Sequence, residues 1–305
     1  MADPLDPGHL FAHVQDAEYF QVPRWFPLAD ADGRIYLPQP FNPTGEPVAV
    51  IRTGFEPLDQ NLEPLNLRIT KFMVLELTAA ILIAVTFIWL ARRMRASDQP
   101  RGGLGNLLEA MVVFIREQVV RPAIGRVEGD RFLPFLLTMF FFVLVCNLLG
   151  LLPWSGSPTG SLAVTGALAV ITLCTVFGAG MSRLGVLGYW RSQVPAMDLP
   201  WVLAIFLKPM IFVIEVVGIL IKHFVLAIRL LANMLAGHLV LAVVVAFVAA
   251  SFGGQYASLT WLGVTLASVG GAVALNLLEL FVAFLQAFIF AFLSALFIGM
   301  AVHPH

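Results

Sequence analysis

Four polar side chains fall at helical spacing in a stretch that is otherwise almost wholly apolar. Between Pro209 and Ser251 the chain carries Glu215, Lys222 and Arg229 at seven-residue intervals, with Asn233 four residues further on. At 100° per residue, seven steps return to within about 20° of the starting direction and four steps to within about 40°. The four therefore make one polar stripe if this stretch is a continuous helix. Arg229 most needs an explanation, because guanidinium keeps its charge at any physiological pH. At membrane depth it costs about 2.5–3.5 kcal/mol even on lenient insertion scales. Ion pairing and snorkelling account for Lys222. For Arg229 the expected partner is an anion that this chain does not obviously supply.

A second group of polar residues lies further along. His238 follows Arg229 by nine residues, about 180° round an ideal helix, so it faces away from the stripe. Another long apolar run carries Asn276, Glu279 and Gln286, the last two again one seven-residue step apart. A histidine and a glutamate on adjoining membrane helices can both titrate near neutrality, which suits a proton relay. A hydrogen bond locking the two helices together fits the same residues, and spacing leaves both readings open. Glu76 reads as an interfacial residue, and Gln255 and Tyr256 as turn residues.

The elements that position these groups follow from composition. The 305 residues are 59% hydrophobic and 12% charged, against about 25% charged in soluble domains, with a mean hydropathy of +0.87. This is a polytopic membrane protein. The first 70 residues hold ten acids and four arginines, and only Asp198, Glu215 and Glu279 are acidic beyond Phe132. The N-terminus has neither a basic region nor an apolar core, so no cleavable signal peptide is expected. Cys146 and Cys174 fall in apolar runs and read as core-filling side chains.

Residues 72–90 suffice to cross a ~30 Å hydrocarbon core, and Arg92, Arg93 and Arg95 follow at once. By the positive-inside rule the acidic tail, residues 1–70, is then outside. Residues 91–131 hold eight arginines, and LLEAMVVFIREQVV has the pattern of an interfacial helix. Spans at 132–154 and 161–181 return the chain to the inside, where Arg183 and Arg191 stand. Segments 201–251 and 256–302, separated by a break at FGGQ, are each long enough for a helix of about 75 Å. The expected fold is all-α: three ordinary transmembrane helices, an interfacial helix, then a hairpin of two long, steeply tilted helices, with 71–305 as the membrane domain. Four spans broken at Gly237 and at Gly270-Gly271 are the alternative.

Several function classes drop out. There is no phosphate-binding loop, no metal-ligand cluster, no cofactor motif, no nucleic-acid-binding pattern and no nucleophile beside a base. An ion-coupled secondary transporter remains an alternative, because mid-membrane Arg, Glu and His also describe such proteins. Their internal repeat and paired broken helices are missing here. Ion conduction with a charged partner fits best.

The motifs point the same way. R-L-x-x-N-M-x-A-G at Arg229–Gly237, followed downstream by L-Q-A-F-I-F within Phe284–Phe290, resembles the a subunit of the rotary F-type ATP synthase membrane sector. N-L-x-x-L-L-P at Asn147–Pro153 adds to the likeness, which covers residues 70–302. The resemblance implies that Arg229 is the essential stator charge facing a ring of c subunits, with Asn233 and Gln286 as its polar neighbours. It implies proton-pathway roles for His238 and Glu279 on the outer side and for Glu215 on the cytoplasmic side. In many bacterial members the His238 position is a glutamate and the Glu279 position a histidine, so one acid and one imidazole are kept in exchanged places. Leu231 and Ala232 depart from the family's common Phe and Gly. The implied protein is a non-catalytic, multi-pass subunit of a bacterial inner membrane, with its C-terminus cytoplasmic. Its implied partners are the c-ring, b-type peripheral stalk subunits and lipid, and no cofactor is implied.

Overall fold

The computed structural model describes residues 16–22, 27, 30, 33–40, 68–96, 102–152, 155–194, 201–252 and 258–303. Nearly all are helical, and five helices are long and apolar enough to cross a membrane. Two short strands precede them, β1 (Tyr19–Gln21) and β2 (Arg34–Tyr36), paired antiparallel with Phe20 opposite Ile35. This ribbon lies in the acidic tail. The expected turn at Gln255 and Tyr256 falls outside the described residues.

Helix α1 (Lys71–Ala96) buries one narrow stripe, Phe72, Leu75, Ala79 and Leu90. Leu77, Ile81, Val85 and Ile88 stay exposed on its other side, as a helix with protein on one face and lipid on the other requires. Phe87 packs edge-on against Phe141, with ring centroids 4.8 Å apart. Tail residues satisfy the start of α1, whose first N–H groups have no partner within the helix. The Lys71 amide donates to the Ala17 carbonyl at 2.8 Å and the Phe72 amide to Asp16 Oδ1 at 3.3 Å. Arg68 holds both carboxylate oxygens of Glu18, and Gln39 exchanges two hydrogen bonds with the Ile69 backbone.

Next come α2 (Gly103–Phe114), a π-helical segment at Ile115–Val120 and the short α3 (Arg121–Ile124). They occupy the region where an interfacial helix was expected. Helix α4 (Arg126–Gly150) is the centre of the bundle, with Leu136, Phe140, Val143, Cys146 and Asn147 fully enclosed. Helix α5 (Leu162–Leu184) follows, and then α6 (Val186–Ser192).

The arginines collect where the π-helical segment, α3, the start of α4 and the end of α5 meet. Arg116 grips Asp130 through two 3.0 Å bonds, Arg121 pairs with Glu117, and Arg183 reaches Glu128 at 2.9 Å. His303, just past the last helix, brings Nε2 to 3.2 Å from the Ile124 carbonyl and lies 3.7 Å from Glu128 Oε2. This is the arginine-rich end of the molecule.

Two long helices complete it: α7 (Trp201–Phe252) of 52 residues and α8 (Ser258–Val302) of 45 residues. Neither is interrupted at the glycines of the four-span alternative, Gly237, Gly270 and Gly271. At 1.5 Å per residue they are about 78 and 68 Å long, twice the hydrocarbon thickness or more. Helix α8 packs on α4, α5 and α7, burying Ala283, Ala287, Phe290, Ala291 and Ile298. Small residues let these backbones approach closely. At Gly299 a Cβ would run into the Ala123 carbonyl, and at Gly180 it would run into the Tyr189 ring.

Candidate ion-translocation site

Continuity of α7 puts Glu215, Lys222, Arg229 and Asn233 on one helix, as their spacing required. Lys222 is exposed, whereas Glu215, Arg229 and Asn233 are half-buried. Arg229 is flanked by the buried Leu226 and Leu230 on one side and the exposed Val225 and Ile228 on the other. Among the described residues it has no hydrogen bond and no ion pair. One turn away the Asn233 amide nitrogen repeats the pattern, buried with no hydrogen-bond partner among the described residues. A permanent cation thus stands at the edge of an apolar face with nothing among the described residues to neutralise it.

Helix α8 brings a second charge close to α7. Glu279 is 7% exposed, and the residue it faces is Gly237. A Cβ at Gly237 would lie 2.6 Å from Glu279 Oε1, which only a glycine avoids. Glu279 Oε1 and His238 Nε2 are both buried without a hydrogen-bond partner among the described residues. The direct His238–Glu279 hydrogen bond of the locking alternative is therefore not formed. Gly237, which Glu279 faces, is the chain neighbour of His238, and both titratable side chains keep spare hydrogen-bonding capacity. Gln286 is half-buried on the same helix, and Asn276 is exposed, donating to the Ala272 carbonyl at 3.0 Å.

A polar cluster beside Glu279 was visible in sequence only as part of a motif. Asn147 is fully buried and donates from Nδ2 to the Ala283 carbonyl at 3.3 Å, one turn beyond Glu279. Its Oδ1 accepts from the Thr159 hydroxyl at 2.7 Å, and Ser157 lies 2.8 Å from Thr159. This ties the end of α4 and the following turn to α8. The buried Lys71 comes against the same turn, its Nζ 3.5 Å from where a Gly156 Cβ would stand. No spacing rule could link Asn147 to Ala283, because they are far apart in the chain.

Glu215 lies elsewhere, in a cavity of about 660 Å³ towards the arginine-rich end. Tyr189, Lys222, His223, Phe297 and His303 share its walls. His223 was not singled out in the sequence, where it reads as one polar residue next to Lys222. Among the described residues no three His, Cys, Asp or Glu side chains converge as metal ligands would.

Comparison with known proteins identifies the chain's relatives. Residues 73–299 match the family described as ATP synthase A chain. The chain is 44% identical to ATP synthase subunit a of Myxococcus xanthus over 245 residues, which are 79% of this chain and 76% of that protein. It is 39% identical to ATP synthase subunit a 2 of Chlorobaculum tepidum over 239 residues, 77% of this chain and 64% of that protein. With ATP synthase subunit a 2 of Prosthecochloris aestuarii it shares 38% over 240 residues, 77% and 69% of the two chains. A match across most of the chain, carrying the uninterrupted helix with its unpaired arginine, places this protein in the ATP synthase A chain family.

Proposed function

We propose that this chain is the proton-conducting stator subunit of a bacterial F-type ATP synthase. Arg229 carries the reading: a permanent charge on a continuous apolar helix, unpaired among the described residues and next to an exposed apolar face. Such a charge calls for a carboxylate supplied by a partner that slides past, here a ring of c subunits. The tail lies outside and the arginine-rich end is cytoplasmic, in keeping with the positive-inside rule.

Protons reach the rotor from outside by way of His238 and Glu279 and neutralise a rotor carboxylate. Once neutral, that site can face lipid, which an ionised one cannot do cheaply. After nearly a full turn it meets the second half-channel, lined by Glu215, and gives up its proton to the cytoplasm. Arg229 draws the ionised carboxylate back past the stator and bars a direct path between the half-channels, with Asn233 and Gln286 beside it. Lysine would serve poorly, because burial readily strips its proton. The length of α7 and α8 suits a steeply tilted hairpin lying along the curved wall of a ring. The other stator contacts, to b-type peripheral stalk subunits and lipid, fall to the remaining helices.

The test is Arg229→Gln in the assembled complex in inverted membrane vesicles. Coupled ATP-driven acidification is expected to vanish, with a passive proton leak in its place. Normal coupled pumping would exclude this role for Arg229.

A further inference from the structure

The cavity at the arginine-rich end holds a titratable side chain that the pathway above does not use. His223 is 3% exposed. Its Nδ1 is 2.9 Å from the Ile219 carbonyl one turn back. That contact makes Nδ1 the donor of the neutral ring and leaves Nε2 with a lone pair. Phe297 of α8 packs on the ring with centroids 5.0 Å apart, fixing its orientation. Nε2 is buried and has no hydrogen-bond partner among the described residues. An acceptor left so costs about 1–3 kcal/mol unless water or a passing group meets it. The cavity His223 lines measures about 660 Å³, room for several waters at about 30 Å³ each.

Its position along α7 gives this nitrogen a use. Arg229 and Glu215 are fourteen residues apart, about 21 Å along the helix axis, far beyond one hydrogen bond of about 3 Å. His223 stands between them, about 9 Å from the level of Arg229 and about 12 Å from that of Glu215. The charged and titratable groups around it are Glu215 and Lys222 from α7, Tyr189 from α6, and His303, itself 3.7 Å from Glu128. Burial keeps the Tyr189 phenol above its ordinary range, and Glu215 adds to this, so it remains a neutral hydroxyl that can anchor water.

We infer that His223 is a proton-relay side chain of the cytoplasmic half-channel, a stepping stone between the rotor site at Arg229 and Glu215. Nε2 accepts the proton released by the rotor carboxylate, giving an imidazolium with both nitrogens protonated. The same Nε2–H bond then breaks as the proton passes to cavity water and on to Glu215 or the cytoplasm, regenerating the neutral ring. Pumping runs the two steps in reverse. This relay rests on the stator role proposed above.

The experiment uses the assembled complex in inverted vesicles, whose cytoplasmic face is open to the medium. Proton flux is measured for His223→Ala, His223→Gln and Arg229→Gln, with and without 4-methylimidazole. Loss of a positioned proton carrier is expected to lower flux in both His223 variants by about 100-fold. Added 4-methylimidazole should restore much of the flux of His223→Ala, increasingly with dose, and none in Arg229→Gln. Rescue by a diffusible base separates a relay from a packing role. Near-normal flux in assembled His223→Gln overturns the relay whether or not His223→Ala assembles. Impaired flux in assembled His223→Ala that no dose of 4-methylimidazole restores also overturns it. Normal coupled pumping in Arg229→Gln would instead overturn the stator reading, whereas its loss beside normal flux in His223→Gln removes the relay alone.

Discussion

The surroundings of Glu279 and of Glu215 differ mainly in how much space they leave. Glu279 is pressed against a glycine backbone, with the closed Asn147–Thr159–Ser157 cluster one turn away. Glu215 opens onto a cavity of about 660 Å³. One carboxylate is positioned by the absence of a side chain opposite it, and the other by walls set wide enough for water. A proton moving past Glu279 depends on side chains held in a fixed place. Past Glu215 it can use solvent, which tolerates changes in the walls.

The sharpest way to break this contrast is to add one carbon at each place. Gly237→Ala puts a methyl group 2.6 Å from Glu279 Oε1, so the carboxylate or the helix must shift. Proton flux in the assembled complex is expected to fall by about 100-fold, since small misplacements at a reacting centre cost that much. Gly218→Ala, where a Cβ meets nothing within 4 Å, is expected to leave flux within about two-fold, helix propensity being slightly improved. Equal losses from both would mean that space around Glu279 is not what matters.

An effect of the same order is expected from removing either member of the titratable pair. His238→Leu and Glu279→Leu should each lower flux by about 100-fold as general acid–base groups do. The double exchange, His238→Glu with Glu279→His, should recover part of it. Flux measurements on assembled complexes check this, and a double exchange no better than either single change would assign the two residues separate structural duties.

The Asn147 cluster sharpens the comparison from the side of stability. Asn147→Leu removes the hydrogen bonds to the Ala283 carbonyl and from the Thr159 hydroxyl, at a cost of about 1–3 kcal/mol. A lower melting temperature of the purified complex is expected, with flux reduced less than in Gly237→Ala. Unchanged melting would show that the cluster does not hold α4 to α8.

The long apolar runs were legible in the sequence because their lengths exceed what any soluble helix needs. The stripe from Glu215 to Asn233 was legible too, since a seven-residue step is nearly a whole number of turns and survives on an uninterrupted helix. Contacts between helices were not. The approach of Gly237 to Glu279 depends on the packing angle of α7 on α8, and a glycine announces no partner. Asn147 finds Ala283 only after α4 and α8 have docked. His223 stood next to Lys222 with nothing in its spacing to mark it, and its burial against Phe297 appears only when α8 is in place. The strands at Tyr19–Gln21 and Arg34–Tyr36 are three residues each, too short for an alternating pattern to be read. The π-helical turn at Ile115–Val120 has no signature that separates it from ordinary helix.

The central claim is that one face of α7, centred on Arg229, meets a moving partner. Single cysteines placed through residues 215–240, each paired with a cysteine on the facing helix of the c-ring, test it most directly. Disulfide cross-linking is predicted to peak near Arg229 and to recur with a helical period of about 3.6 residues, taking in the faces of Lys222 and Asn233 and sparing the buried Leu230 and Met234. Cross-linking without that period, or strongest at the buried Leu230 and Met234, would contradict the account.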